Sequence, residues 1–351
     1  MKVDIVIGTR PEAIKLAPVV RALEKFPQLH GRVILTGQHT DLLKPFIKEL
    51  ELPVYSELQL DQNRQTGNTL GQINSVLHEL WENDPTDFVI IQGDTTSAMT
   101  AGLTAFYMNI PVGHVEAGLR TYRLDAPFPE ELNRQVIGRL AALNFAPTKE
   151  ALEHLKMEKI PGEVHITENT VVDAVVWIQG KLPSQKQMEK PYVLVTCHRR
   201  ESIEQGVEAV CKAVNRLTEQ IDVVFVTHPN PKVKRKVQQH LTMSKRLHLI
   251  PPQTYQDMAH WLRDAALLIT DSGGLQEEAP SYGTGVVVTR EATERMELIR
   301  QDMGILAGLD ETKILDAAHQ LLNRQLIAKD IFGDGFAGFR IVEIIKHYLL
   351  P

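Results

Sequence analysis

The chain has 351 residues, an ordinary globular composition with 43% hydrophobic and 23% charged residues, a formal net charge of −6 at pH 7 and a pI of about 6.1. That length exceeds what one hydrophobic core usually serves, so two domains are expected, and the composition excludes disordered and fibrous classes. The acidic balance excludes a broadly basic nucleic-acid-binding face, so an anionic ligand has to be gripped by local cations.

Cys197 and Cys211 are too few for a disulfide framework. The segment Met1 to Gly8 lacks the apolar core and cleavage site of a signal peptide. No apolar run approaches the ~20 residues of a membrane span. A cytoplasmic protein with neither membrane nor nucleic-acid partners is expected.

Val3 to Ile7 reads as a strand stopping at Gly8, followed by Thr9-Arg10-Pro11-Glu12. Thr9 and Glu12 have capping-box spacing and Pro11 suits a first helical turn, so Glu12 has a structural reading. Arg10 and Lys15 are cations at the carboxyl end of a strand, where open α/β sheets bind ligands. The pattern then repeats. Val33 to Thr36 runs into Gly37-Gln38-His39, Phe88 to Gln92 into Gly93-Asp94-Thr95-Thr96, and Pro111 to Val115 into Glu116-Ala117-Gly118-Leu119-Arg120. Pro129-Glu130-Glu131-Leu132-Asn133-Arg134 opens a helix. Strands alternating with helices imply βαβ units and a parallel sheet. One charged residue after a strand is usually a cap. Arg10, Asp94, Glu116, Glu130 and Arg134 converging on one sheet edge are better explained by a site.

Near Thr167 the alternation pauses, and the polar stretch Lys181 to Lys190 reads as a connecting loop. A second series follows. Tyr192 to Thr196 ends in Cys197-His198-Arg199-Arg200, Val223 to Thr227 in His228-Pro229-Asn230-Pro231, and Leu247 to Ile250 in Pro251-Pro252. Ala265 to Thr270 meets Asp271-Ser272-Gly273-Gly274, and Val286 to Thr289 precedes Arg290 and Thr293-Glu294-Arg295. A last helix covers roughly Ala337 to Leu349. The expected fold class is α/β, with two doubly wound parallel-sheet domains facing each other across a cleft.

Gly273 and Gly274 let the backbone turn sharply and approach a ligand, and the helix they open favours a phosphate. Glu278, one turn on, is placed to accept from a sugar hydroxyl. The plainer alternative is a tight turn with Glu277 and Glu278 complementing a helix dipole. His198-Arg199-Arg200, directly after a strand in the same half, is a set of phosphate-binding groups. Together the two loops read as a diphosphate cradle. Phosphate-loop, dinucleotide, zinc and serine-hydrolase motifs are missing. Cys197 beside His198 is not read as a catalytic pair, because neighbours at a strand end point to opposite sides. Asp94, Glu116 and Glu130 remain, with Arg10, Lys15 and Arg134 among them. Crowded carboxylates push their pKa values apart, which yields an acid and a base. Phosphate grip in one half and acid/base groups in the other point to chemistry on the sugar of a nucleotide sugar.

These residues resemble the non-hydrolysing UDP-N-acetylglucosamine 2-epimerases along almost the whole chain. The shared blocks include Gly8-Thr9-Arg10-Pro11-Glu12-Ala13-Ile14-Lys15, Gly93-Asp94-Thr95-Thr96 and Gly113-His114-Val115-Glu116-Ala117-Gly118-Leu119-Arg120-Thr121. Pro129-Glu130-Glu131-Leu132-Asn133-Arg134, His198-Arg199-Arg200-Glu201, Asp271 through Ser281, Thr293-Glu294-Arg295 and Gly333-Asp334-Gly335 complete the set. The resemblance implies the GT-B architecture, with residues 1–168 and the terminal helix 338–351 forming the acid/base domain and 169–337 the UDP-binding domain. It implies interconversion of UDP-GlcNAc and UDP-ManNAc through 2-acetamidoglucal, supply of a cell-envelope polysaccharide, a homodimer, and no metal or redox cofactor.

Carried over, Asp94, Glu116 and Glu130 resemble the acid/base set, and His198 and Arg10 the diphosphate ligands that help UDP leave. Lys15 and Arg134 count with Arg10 as substrate-binding cations. Ser272, Gly273, Gly274 and Arg295 would hold UDP, and Glu278 the ribose. Gln38, His39, Arg64, Glu131 and Arg199 resemble contacts of an activating second UDP-GlcNAc. Asp41 nearby could repel a diphosphate, so weak activation is expected. The chain departs from the family at Cys197, Glu168 and Tyr122, where Gly is usual, at Met296 in place of Pro, and at Arg123 and Thr40 to Leu42. The rival expectations are a hydrolysing relative that releases ManNAc and UDP, a glycosyltransferase of the same architecture, and a non-catalytic nucleotide-sugar sensor.

Overall fold

The computed structural model describes residues 1–37, 40–60, 66–125, 127–197, 206–228 and 230–351. It divides into two compact units, Met1–Ala174 with Phe332–Pro351, and Val175–Ile331. In chain order the first unit carries β1 (Lys2–Ile7), α1 (Arg10–Leu23), β2 (His30–Leu35), α2 (Thr40–Glu49), β3 (Val54–Glu57), α3 (Thr66–Asn83) and β4 (Phe88–Gln92). It continues with α4 (Thr96–Tyr107), β5 (Val112–Val115), α5 (Glu130–Leu140), β6 (Leu143–Ala146), α6 (Lys149–Met157) and β7 (Glu163–Ile166), and α7 (Thr170–Gln179) runs over the unit boundary. Among the described residues its strands form one parallel sheet in the order β3-β2-β1-β4-β5-β6-β7.

The second unit repeats the plan with β8 (Tyr192–Thr196), α8 (Gly206–Leu217), β9 (Asp222–Val226), α9 (Pro231–His240), β10 (Leu247–Ile250), α10 (Tyr255–Asp264) and β11 (Leu267–Thr270). Then come α11 (Gly273–Glu278), a 3-10 turn (Ala279–Tyr282), β12 (Gly285–Val288), α12 (Met296–Arg300), β13 (Gly304–Leu306) and α13 (Glu311–Leu322). Its described strands form a parallel sheet in the order β10-β9-β8-β11-β12-β13. The α/β alternation expected from the sequence is therefore present twice.

Parallel sheets are covered on both faces, which is why the central strands read as continuous apolar runs. Phe88 to Ile91 and Tyr192 to Val195 are all fully buried. In the second unit Val207, Val210, Val214 and Leu217 recur at helical spacing along α8, and they pack with Val193, Val195 and Phe225 of the sheet. At the amino edge of the first sheet the carboxylate of Asp4 is fully buried. It accepts from Arg32 Nε at 2.6 Å, Arg32 Nη2 at 3.0 Å and Trp81 Nε1 at 2.8 Å. Arg32 also pairs with Asp84, and its guanidinium lies 4.7 Å from the ring centroid of Tyr55.

The final helix, α14 (Ala337–Leu349), belongs to the first unit and lies on α1. A Cβ at Gly338 would stand 2.9 Å from the Pro18 backbone, so glycine permits the close approach. Phe26 and Phe339 meet with ring centroids 5.4 Å apart, and Ile341, Val342 and Ile345 are fully buried. Burying each such side chain is worth ~1.5–3 kcal/mol.

The unit boundaries fall at 174/175 and 331/332 rather than at 168/169 and 337/338. The reason is local. Asn169 N donates to Phe332 O, and Asp173 accepts from Ala337 N and Gly338 N, so the start of α7 is tied to the chain entering α14. Glu168 adopts φ +69 and accepts from Asp334 N and Arg340 Nη1, both at 2.9 Å. A left-handed conformation costs a residue with a Cβ ~1–2 kcal/mol. That explains why glycine is usual there, and the two bonds offset it in this chain.

Candidate active site

In a doubly wound sheet ligands bind beyond the carboxyl ends of the strands, where the strand order reverses. In the first unit the reversal lies between β1 and β4, with β5 next in line. Three loops therefore emerge side by side: Gly8-Thr9-Arg10, Gly93-Asp94-Thr95, and Glu116. Their backbones are closely fitted. A Cβ at Gly8 would lie 2.1 Å from Ser97 Oγ and 2.7 Å from Thr36 Oγ1. Gly93 has φ +72, its N donates to Val115 O, and its carbonyl meets His114 Nε2 at 2.7 Å.

Glu116 is held at φ +64, a conformation that a residue with a Cβ keeps only where its surroundings over-determine it. Here Ala117 N donates to Phe145 O, Lys15 Nζ donates to Glu116 Oε1 at 2.6 Å, and Gln92 Nε2 donates to Glu116 Oε2. Glu116 Oε2 sits 3.8 Å from where a Gly93 Cβ would be, which brings this carboxylate to the residue before Asp94. Asp94 Oδ2 accepts from Arg134 Nε at 2.8 Å and Nη2 at 2.7 Å, and Asn133 Nδ2 donates to the Asp94 carbonyl. Glu130 begins α5, one turn before Arg134 and on the same face. Its Oε2 is buried and finds no hydrogen-bond partner among the described residues. Such an oxygen is an acceptor available to a ligand. The first unit thus carries two carboxylates each engaged by a cation, Glu116 by Lys15 and Asp94 by Arg134, and a third, Glu130, one helical turn from Arg134.

His114 is buried, and that burial pushes its pKa from 6.5 down to about 4, so at neutral pH Nε2–H donates to Gly93 O. A histidine depressed in the folded state contributes stability that is complete above its unfolded value and is lost as pH falls. Between pH 6.5 and about 4 the stability gap between wild type and His114→Gln should therefore narrow, by at most roughly 3 kcal/mol. Urea unfolding at stepped pH measures this. A gap that stays constant over that window would show that His114 keeps its ordinary protonation.

In the second unit the order reverses between β8 and β11, whose ends are joined by Thr196 Oγ1 and Thr270 Oγ1 at 2.6 Å. Ser272 N donates to Thr270 Oγ1, and Gly273 lies against Arg295: a Cβ there would be 2.9 Å from the guanidinium carbon. Arg295 is aimed by two carboxylates, with Nε and Nη2 on Glu277 Oε1 and Nη1 on Glu294 Oε2, all at 2.9 Å. Glu278 is buried, with Oε1 3.8 Å from the Cβ position of Gly274. Cys197 is buried, and that burial, with Asp271 beside it, raises its thiol well above the ordinary range. It is an inert core thiol, not a nucleophile.

The family model for UDP-N-acetylglucosamine 2-epimerase matches residues 21–346. The chain is 40% identical to the UDP-N-acetylglucosamine 2-epimerase of Bacillus subtilis over 99% of its own length and 96% of that protein. A crystal structure of UDP-GlcNAc 2-epimerase from Neisseria meningitidis bound to UDP-GlcNAc superposes at TM-score 0.94, with 34% identity, covering 99% of this chain and 100% of that one. An S. aureus protein solved with UDP superposes at TM-score 0.90, with 37% identity, covering 99% and 96%.

The chain belongs to the UDP-N-acetylglucosamine 2-epimerase family.

Its pair of doubly wound sheets is of the GT-B type found in these structural neighbours. Set in this family, the candidate residues divide by placement. Asp94, Glu116, Lys15 and Arg134 are brought together in the first unit, but Lys15 and Arg134 are engaged with Glu116 and Asp94. Arg10 is exposed, its guanidinium 5.1 Å from the ring centroid of Phe46. Glu131 is fully buried and accepts from Thr121 N, Thr121 Oγ1, Tyr122 N and Gln135 Nε2. Burial raises its carboxyl, but those donors and Arg134 outweigh it and leave the group below the usual range. Tyr122, which Glu131 holds, has φ +57, and that accounts for the glycine usual at its place in the family. Gln38, His39, Arg64, His198 and Arg199 lie outside the described residues. Gln92, Asn133 and His114 were missed by sequence reasoning. They are neutral groups, and only the pairing of β4 with β5 and the start of α5 sets Gln92 on Glu116, Asn133 on the Asp94 carbonyl and His114 on the Gly93 carbonyl.

Proposed function

We propose that this chain is a non-hydrolysing epimerase that interconverts UDP-GlcNAc and UDP-ManNAc. The carrying observation is the acid set of the first unit, with Asp94 and Glu116 on loops of neighbouring strands, each with its own cation, and Glu130 one turn from Arg134. One carboxylate takes the C2 proton while the C1–O bond to UDP breaks. The C–H electron pair becomes the C1–C2 double bond of 2-acetamidoglucal, and the C1–O pair leaves with UDP. Re-addition of UDP at C1, with a proton returned to the opposite face of C2, gives the epimer. Ser272, Gly273, Gly274 and Arg295 hold the nucleotide in this reading, and Glu278 its ribose. Arg10 and His198 stabilise the charge that develops on the diphosphate, the main way such barriers are lowered.

The relatives' names and the bound UDP-GlcNAc and UDP of the structural neighbours support the substrate class. Incubation with UDP-GlcNAc followed by NMR tests the reading. UDP-ManNAc with traces of 2-acetamidoglucal and UDP is expected, whereas accumulation of free ManNAc would reassign the chain to hydrolytic chemistry. The ribose role has its own check. Losing a charge-assisted hydrogen bond costs ~1.5–3 kcal/mol, so Glu278→Ala should weaken UDP binding by about tenfold or more. Calorimetry giving the wild-type affinity in a folded variant would remove Glu278 from the nucleotide site.

A further inference from the structure

Glu12 has so far served as the partner in a helix cap, but its carboxyl group reaches further than a cap. Oε2 accepts from Gly8 N at 2.7 Å and Thr9 N at 2.6 Å, which closes the entry to α1. Oε1 leaves that helix altogether and meets Thr95 Oγ1, 83 residues away. Thr95 Oγ1 also accepts from Ala98 N at 3.0 Å and so starts α4. One buried side chain thus joins the residue before Arg10 to the residue after Asp94. We infer that Glu12 is a positioning residue for the epimerase chemistry, a strut that holds the Arg10 loop against the Asp94 loop.

The inference rests on the elimination mechanism proposed above, because it assumes that Asp94 and Arg10 act on one substrate. The strut sits where small displacements matter: β1 and β4 are hydrogen-bonded neighbours, and Gly8 already packs on Ser97 without room for a methyl group. Burial raises the Glu12 carboxyl from 4.5 to about 7, which brings its protonated form within reach near neutrality. A protonated Glu12 donates to Thr95 Oγ1 and still accepts from both backbone N–H groups. Glutamine reproduces that pattern, with Nε2 on Thr95 and Oε1 on Gly8 and Thr9. Alanine removes both ends of the strut, and aspartate is one methylene too short.

The test measures kcat, KM and UDP affinity for Glu12→Gln, Glu12→Ala, Thr95→Val and the Glu12→Ala/Thr95→Val double variant, with thermal unfolding to establish the folded fraction. Misplaced reacting groups cost about tenfold to a hundredfold in rate. Glu12→Ala and Thr95→Val should each lose that much kcat per folded molecule, with a smaller loss of UDP affinity through the Arg10 loop. The double variant should lose little more than either single one, and Glu12→Gln should retain wild-type kcat. A cap without a positioning role would lower the melting temperature of Glu12→Ala and leave its kcat intact, and that outcome overturns the inference. So does a double variant whose loss is the product of the single losses. A wild type that fails to turn over UDP-GlcNAc would sink the functional reading and this inference with it. Active wild type matched by Glu12→Ala would sink the inference alone.

Discussion

Asp94→Asn, Glu116→Gln and Glu130→Gln are each expected to lower kcat by ~10²–10⁴-fold, the usual contribution of a general acid or base, while UDP still binds. In the proposed elimination the C2 hydrogen beside an acetamido group is a poor acid, so it leaves only if a base acts while the anomeric bond breaks. Each amide keeps the shape of its carboxylate and removes its ability to exchange a proton. Lys15→Met should depress kcat in the same direction, because Lys15 Nζ at 2.6 Å is what steadies the Glu116 carboxylate in its left-handed turn. In D₂O the epimerised product should carry deuterium at C2. A product that keeps its protium would exclude proton transfer through a solvent-exchanging base, and with it the roles given to all three acids. Variants with wild-type kcat would exclude their own residue only.

The second large effect concerns stability. Arg32→Met leaves the fully buried Asp4 carboxylate with Trp81 Nε1 in place of three donors. Breaking one side of a buried ion pair costs ~3–5 kcal/mol, mostly the penalty of the charge left behind, whereas replacing both sides with apolar groups is often neutral. Arg32→Met should therefore lose ~3–5 kcal/mol in urea unfolding, and Asp4→Leu/Arg32→Met much less. Equal losses in the two proteins would mean that packing of the Arg32 side chain, for instance on Tyr55, matters more than the orphaned charge. Because this network lies at the amino edge of the sheet, kcat of the folded enzyme should not change.

Much of the architecture was legible in the order of residue types. Apolar runs bounded by glycine and charge marked β1, β2, β4 and β5 of the first sheet and β8 to β12 of the second, since a strand buried on two faces has to be apolar throughout. The buried β6 (Leu143–Ala146), interrupted by Asn144, was not marked. The edge strands Val54–Glu57 and Glu163–Ile166 were not marked: they are four residues long and partly exposed, and such segments lack a continuous apolar signature. The terminal helix was visible at Ala337 to Leu349 because its apolar residues recur at helical spacing. Its companions at the unit boundary, Asp173 and Glu168, gave no local signal, since their partners Gly338 and Arg340 lie more than 160 residues away.

For the site, the sequence by itself determined which chemistry was available: three acids and several cations placed just after strands, with a Gly-Gly turn in the second half. Only the tertiary structure decided who holds whom. Lys15 and Glu116 are 101 residues apart, Asp94 and Arg134 are 40 apart, and Glu12 finds Thr95 across 83. Arg134 and Lys15 read as substrate cations along the chain, and in the fold they turn to Asp94 and Glu116. Capping-box spacing explained Glu12 completely until β1 and β4 were seen to be neighbours. The physical reason is the same in each case. Local spacing fixes hydrogen bonds within a turn, whereas strand order, set by burial of the whole sheet, chooses the partners of charged groups at its edge.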